Sequence, residues 1–275
     1  MPRRVDLVKT AAVICGTLLL FLVPCLHLGI VSGLVYSVHK PEVDVENCAN
    51  TCWDTKFKGD YETLPAAYKH IYFNITRQTL QIWFCTVLFM VAFYETVKRF
   101  VYLILKCKLR FSMFVLFVSV FYSHYYTWWS LFNYLNDDFY DQWYHQMYFS
   151  ITELISTVCV VYLCNRDNSL YPKLLLLIID IALFHIITSA GDQFVTNIFL
   201  NSGEFYQMAR DLGFMIPDLM HVSVAGYYFV QWYRKPGHSV TTSVGYDFSP
   251  DVITRFDTIL SFIFIISLSL FVRVL

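Results

Sequence analysis

The chain contains seven apolar segments, each long enough to cross a lipid bilayer, and no other feature limits its fold as strongly. A membrane-spanning helix needs about 20 mostly apolar residues. Hydrophobic residues make up 57% of the chain and charged residues 15%, a balance that is rare in a soluble protein of 275 residues. The segments begin near Thr10, Thr79, Phe111, Met147, Leu174, Phe205 and Phe256. The sequence therefore predicts an all-α integral membrane protein, with one polytopic domain over residues 1–275 built as a bundle of about seven transmembrane helices.

The distribution of lysine and arginine predicts the orientation of this bundle, because positively charged loops stay on the cytoplasmic side. With the N-terminus inside, about 13 of the 20 basic residues fall on the cytoplasmic side. The predicted outer loop LNDDFYDQWYHQ contains none. We therefore expect a cytoplasmic N-terminus, a lumenal or extracellular C-terminus, an outer loop at residues 39–78 and an inner loop at residues 232–255. No basic arm is present, so the expected partner is the lipid bilayer and not nucleic acid.

The outer loop holds two cysteines and a glycosylation sequon, which are typical of a protein of the secretory pathway. Cys48 and Cys52 are the only cysteines outside the helices and their inner flanks, and an oxidising lumen would allow a local disulfide between them. Half of a zinc site is the alternative, with only His39 and His70 nearby. The segment NIT at Asn74 fits the sequon for N-glycosylation. We expect a multi-pass protein of the endoplasmic reticulum or the plasma membrane.

Ionisable residues lie inside the predicted fourth and fifth helices, where an unpaired charge is costly in lipid. At about 100° per residue, His185 and Asp192 share one face of the fifth helix, and Asp180 lies on a different face. On the fourth helix, Glu153 belongs to a polar stripe at helical spacing. Glu153 and His185 are each roughly 10 Å below the outer ends of their helices. These two side chains are therefore expected at the same depth.

The sixth helix repeats this pattern. Asp211 and Asp218 are seven residues apart and share a face, and His221 follows Asp218 by three. Pro217 frees a backbone carbonyl that can meet a ligand, water or a neighbouring side chain. We expect these helices to direct their polar faces into a shared pocket that opens outward. Its candidate lining residues are Glu153, His185, Asp192, Asp218 and His221, with His124 and Thr127 of the third helix deeper.

Aromatic residues make up 19% of the chain and are concentrated in HYYTWWSLFNYLNDDFYDQWYHQ, which contains Trp128. Most of them fit an aromatic belt at the membrane interface. Tyrosine and tryptophan also suit a site for a ligand with an apolar body and a polar head. The expected ligand is therefore a lipid-like or sterol-like small molecule, with His124, Thr127, Trp128, Asp192 and Asp211 as its candidate binding residues.

The chemistry of the pocket has several interpretations. His185 and His221, with Glu153 and Asp218, are candidate catalytic residues that could act as acid and base on a lipid. His185, His221 and Asp218 are also candidate ligands for a divalent metal such as zinc. The same groups would suit a receptor or a proton-coupled or cation-coupled transporter. A scaffold without a ligand is the remaining interpretation, because polar side chains also join membrane helices. The sequence leaves open whether the protein is an enzyme, and which oligomer it forms.

Overall fold

The computed structural model describes residues 2–30, 77–136, 140–203, 205–234, 253 and 255–272. Every regular element in these ranges is a helix. The α-helices are α1 Pro2–Ile30, α2 Arg77–Leu105, α3 Phe111–Ser119, α4 Phe121–Asn136, α5 Tyr140–Leu163, α6 Pro172–Ser189, α7 Phe205–Tyr233 and α8 Arg255–Val272, and a π-helix spans Ala190–Phe199. Each predicted apolar segment begins in one of these helices, so the prediction of an all-helical chain is confirmed.

Two of the described helices are long and apolar enough to cross a membrane. They are Trp143–Leu163 and Pro172–Ser189, with mean hydropathies of 1.3 and 1.8. Leu7–Val23 and Phe256–Val272 are shorter apolar stretches. Charged residues interrupt α2 and α7, and a turn at Val120 divides the predicted third helix into α3 and α4. The number of membrane-spanning helices therefore stays a prediction.

The division at Val120 coincides with a local side-chain hydrogen bond. The hydroxyl of Ser119 donates a hydrogen bond to the carbonyl oxygen of Leu116 at 2.7 Å. A serine that bonds back to the preceding turn competes with the backbone ladder and favours a bend. The chain leaves α3 at this point and enters α4 one residue later.

Residues 1–107 and 132–139 form one compact unit, whose main contact joins α1 to α2. Gly16 allows this contact, because a Cβ atom there would lie 3.0 Å from the ring of Tyr94 and 3.2 Å from Cγ of Lys98. The ammonium group of Lys98 lies over the Tyr94 ring and pairs with Glu95 at 2.6 Å. This helix pair therefore combines close backbone approach with an exposed ion pair.

Residues 108–131 and 140–275 form the second unit, in which α6 is the central helix. It contacts α5, α7, α8 and the π-helix. The sequence PKLLLLIIDIALFHIITS is apolar on nearly all sides, as expected for a helix surrounded by others. Leu175, Ile178 and Phe184 are fully buried on it. The buried polar residues of α6, Asp180 and His185, therefore lie against neighbouring helices.

The connections before α3 and after α5 lie side by side and fix the ends of these helices. Arg110 donates a backbone hydrogen bond to Cys164 at 2.7 Å, and its guanidinium binds the carbonyl oxygens of Leu163 and Asn168. Arg110 is 2% exposed, so these bonds replace the water that a guanidinium would otherwise need. The arginine acts as a structural link between the start of α3 and the end of α5.

Several predicted features lie outside the described residues. They are Cys48, Cys52, Asn74 and most of the loops at residues 39–78 and 232–255. No disulfide joins the six cysteines within the described ranges, namely Cys15, Cys25, Cys85, Cys107, Cys159 and Cys164.

Candidate functional site

The polar stripe of α5 supplies the first group of the site. Gln146, Ser150 and Glu153 recur at helical spacing, and the last two are 7% and 9% exposed. The hydroxyl of Ser150 donates to the carbonyl oxygen of Gln146 at 2.6 Å, and the Gln146 amide donates to Oγ1 of Thr127 on α4 at 3.2 Å. Glu153 is the charged member of this stripe, and its carboxylate points toward α6.

His185 on α6 lies between two carboxylates from two other helices. Its Nδ1 atom is 3.3 Å from Oε2 of Glu153 on α5 and 3.4 Å from Oδ1 of Asp218 on α7. The ligand-type atoms of the three residues all lie within 4.8 Å of one another. We refer to Glu153, His185 and Asp218 as the acid–imidazole cluster. Three helices therefore meet at one buried group of ionisable side chains.

Aromatic rings cover one side of this cluster. The Phe149 ring stacks on Phe184 with centroids 5.5 Å apart. The centroid of the His185 ring is 5.2 Å from that of Phe149 and 5.1 Å from that of Phe184. These rings exclude water from the imidazole, and a water-poor environment strengthens every charge interaction within the cluster.

Thr152 contacts the nitrogen of His185 that faces away from the carboxylates. The Thr152 oxygen lies 2.8 Å from Nε2 of His185, 2.9 Å from the carbonyl oxygen of Phe149 and 3.2 Å from that of Tyr148. When the hydroxyl donates its single proton to Nε2, the Nδ1–H of a neutral His185 donates to a carboxylate. When the hydroxyl donates to the backbone, it accepts the Nε2 proton, and Nδ1 presents a lone pair to both carboxylates. This second arrangement is repulsive unless a proton or a metal cation lies between them.

His221 follows Asp218 on α7 and is buried, with 2% of its surface exposed. Its Nδ1 atom lies 2.8 Å from the carbonyl oxygen of Pro217, which can only accept, so Nδ1 is the donor. The Nε2 atom then carries a lone pair, and it has no hydrogen-bond partner among the described residues. His221 also interacts electrostatically with Glu153 and Asp218. An unpaired buried nitrogen beside two carboxylates needs an explanation.

The residues predicted on the third helix lie beside the cluster. Nε2 of His124 on α4 is 2.8 Å from Oγ1 of Thr157 on α5. His124 also interacts electrostatically with Glu153. Together with the bond between Thr127 and Gln146, this contact joins α4 to α5. Trp128 is half-buried on α4.

Asp211 belongs to a second polar group. Its Oδ2 atom accepts a hydrogen bond from Nδ2 of Asn197 at 2.7 Å, and its Oδ1 atom accepts one from Nε of Arg210 at 2.8 Å. Arg210 also binds Oε1 of Gln193. We refer to Asn197, Arg210 and Asp211 as the ion-pair cluster. The carboxylate of Asp211 is thus occupied on both oxygens by protein groups.

Helical geometry predicts where Asp192 and Asp180 lie relative to His185. The α-helix ends at Ser189 and continues as a π-helix, so the premise that Asp192 follows His185 in α-helical register is wrong. The side chain of Asp192 lies outside the described residues. Asp180 accepts a hydrogen bond from Oγ of Ser261 on α8 at 2.6 Å. It lies apart from the acid–imidazole cluster, as the helical angle predicts.

Comparison with known proteins gives a family for this chain. Residues 9–275 match the model of a family described as a family of unknown function, DUF8801. The chain belongs to this family. No curated protein and no solved structure matches the chain. The DUF8801 match includes every residue of both clusters, and the chemistry of those side chains is what bears on function.

Sequence reasoning about this DUF8801 chain missed Thr152 and the ring pair formed by Phe149 and Phe184. Thr152 precedes Glu153 and lies outside the predicted polar stripe of α5. It touches His185 because α5 and α6 pack together, and helical spacing within α5 carries no information about that contact.

An open groove of about 330 Å³, lined by Tyr162, Tyr171, Lys173 and Leu174, lies at the opposite ends of α5 and α6 from the cluster.

Proposed function

We propose that this protein is a multi-pass membrane protein that binds a lipid-like ligand at the acid–imidazole cluster and acts on it by acid–base chemistry. In this proposal about seven helices cross the bilayer, with the N-terminus in the cytoplasm. Glu153, His185 and Asp218 are the reacting groups. The ligand is an amphiphile whose polar head reaches them from the outer half of the membrane.

The apolar surfaces of the helices support the membrane part of this proposal. Two helices are long and apolar enough to span a bilayer; Glu153 lies on the first and His185 on the second. Helix α8 exposes more than half of each of several large apolar side chains, including Phe256, Ile259 and Phe262. Such a surface is unfavourable in water and is stable against lipid.

One observation carries the proposal, namely the position of His185 between carboxylates from two other helices. A charged side chain at the centre of a membrane helix costs at least about 2.5 kcal/mol, and three ionisable groups meet here. An imidazole held by carboxylates can take a proton from a ligand and return it, because the carboxylates stabilise the charged ring. This arrangement is well suited to proton transfer on the polar head of a lipid.

Native mass spectrometry of the full chain, purified in a mild detergent, tests this proposal. We expect the wild type to retain a lipid in the native spectrum. We also expect it to consume a component of a total membrane lipid extract, which is measured by liquid chromatography and mass spectrometry. The His185→Gln variant should lose turnover. The His145→Gln variant is the matched control, because His145 lies on the neighbouring helix α5, contacts the ring of Phe149 and does not belong to the acid–imidazole cluster. Equal turnover of wild type and His185→Gln would contradict the proposal.

Proton-coupled or cation-coupled transport is a second candidate function. It is favoured by the closed nature of the cluster, since none of its three residues is more than 9% exposed. A closed, ionisable group in a helix bundle suits a small ion better than a large head group. Uptake into liposomes under a proton or sodium gradient tests this function. A flat response to both gradients would count against transport. If the cluster serves only to hold the helices together, Glu153→Gln should mainly lower stability.

A further inference from the structure

The acid–imidazole cluster can be neutral in two ways. With ionised Glu153 and Asp218 and a neutral His185, the cluster carries two negative charges in a buried position. Two protons, one on His185 and one on a carboxyl group, bring the sum to zero, and so does a single divalent cation. A buried net charge is costly, so the cluster needs one of the two.

The distances between the ligand-type atoms fit a small cation. Ligands about 2.1 Å from a tetrahedral zinc ion are about 3.4 Å from each other. The distances from Nδ1 of His185 to the oxygens of Glu153 and Asp218 are 3.3 and 3.4 Å. Two of the three separations therefore match the spacing of tetrahedral ligands, and the third is no more than 4.8 Å.

The hydrogen bond behind His185 suits this ring as a metal ligand. A histidine that binds a metal through one nitrogen usually donates its other N–H to an oxygen, which fixes the tautomer. The Thr152 oxygen lies 2.8 Å from Nε2 of His185 and can accept that proton when a cation occupies Nδ1. Nδ1 is the nitrogen that faces both carboxylates.

We propose that the acid–imidazole cluster is a divalent-metal site in which Nδ1 of His185 and one carboxylate oxygen each of Glu153 and Asp218 are the ligands. Zinc is the best match, because magnesium and calcium prefer sites made only of oxygen ligands. This inference rests on the proposed function in using the same cluster. When bound, the cation would polarise the head group of the ligand, and it would replace the proton otherwise shared by His185.

Metal analysis of the full chain tests the proposal directly. The protein in mild detergent is dialysed against zinc, then against metal-free buffer, and its zinc is measured by inductively coupled plasma mass spectrometry. We expect stoichiometric zinc in the wild type and at least about a tenfold loss in His185→Ala and Asp218→Ala. Asp180→Asn and His145→Ala are matched controls, a buried acid and an imidazole outside the site, and both should keep the zinc.

A measurement on the wild type alone tests the metal site even if the variants fail to fold. A chelator should lower the melting temperature of the wild type by about 5 °C or more, and zinc but not magnesium should restore it. Wild type that retains no more zinc than Asp218→Ala, with a melting temperature unchanged by chelator, would overturn the metal site. Retained zinc without lipid turnover would overturn only the proposed function, and turnover that needs His185 but no metal would overturn only this inference.

Discussion

Helix α7 carries two buried aspartates, seven residues apart, whose surroundings differ in charge. Asp211 has its own cation, because Arg210 binds one carboxylate oxygen and Asn197 binds the other. Asp218 shares the single imidazole of His185 with Glu153. The first carboxylate is thus fully satisfied by the protein, and the second is not.

This difference separates a structural group from a candidate site on the same helix. Arginine keeps its charge at every relevant pH, so the charges of the ion-pair cluster balance without a further proton or cation. The acid–imidazole cluster can take up or release a cation, since its charge depends on what His185 holds. His221, which follows Asp218 on the same helix, interacts electrostatically with this second group.

The largest expected effect comes from exchanging each aspartate for asparagine. Asp218→Asn should lower the affinity for zinc by about 100-fold or more, because it removes a charged ligand. Asp211→Asn should leave the affinity within about threefold of wild type, since the ion-pair cluster has no role in the metal site. Titration against a chelating dye measures both. Similar losses in the two variants would remove the distinction between the clusters.

The next effect concerns the hydrogen bond that orients His185. Thr152→Val removes the acceptor for Nε2 and should lower zinc affinity by about 30-fold. Thr157→Val is the matched control on the same helix, because it removes the partner of His124, and its effect should stay within about threefold. The same dye titration reports both values. A larger loss in Thr157→Val would show that His124 and not His185 binds the metal.

A smaller effect is expected on stability alone. Arg210→Gln leaves the buried carboxylate of Asp211 without its cation and should lower the free energy of unfolding by about 2 kcal/mol. Thermal unfolding should detect this change, and zinc affinity should be unaltered. Lys98→Gln, which removes an exposed ion pair with Glu95, is the control and should cause no measurable change. A loss of zinc in Arg210→Gln would mean that the two clusters are coupled.

The smallest expected effect tests the packing behind the ion-pair cluster. A Cβ atom at residue 203 would lie 2.6 Å from Cβ of Asn197, so Gly203→Ala should destabilise the protein by about 1 kcal/mol. Gly226→Ala is the control, because nothing lies within 4 Å of a Cβ atom there. It should be neutral or stabilising, since alanine favours a helix interior over glycine. The melting temperatures of the two variants compare them, and equal values would mean that the loop before α7 adjusts freely.

The helices could be predicted because their signal is local. A long apolar run requires a structure that satisfies its own backbone, and each predicted segment begins in a described helix. The turn at Val120 and the π-helix after Ser189 could not be predicted, because they depend on hydrogen bonds that the apolar pattern does not encode. The error at Asp192 follows from this, since a change of helix type alters every angle beyond it.

The sequence by itself determined that the chain is helical. It also determined that Glu153, His185 and Asp218 lie within apolar helices, where an ionisable side chain is unfavourable without a partner. Only the tertiary structure decided which partners they have. Helical spacing fixes the face and height of a side chain on its own helix, but the order of helices around α6 comes from packing between distant segments. That packing brings Thr152 to His185, joins Asp218 to Glu153 through one imidazole, and gives Asp211 to Arg210 and Asn197 instead.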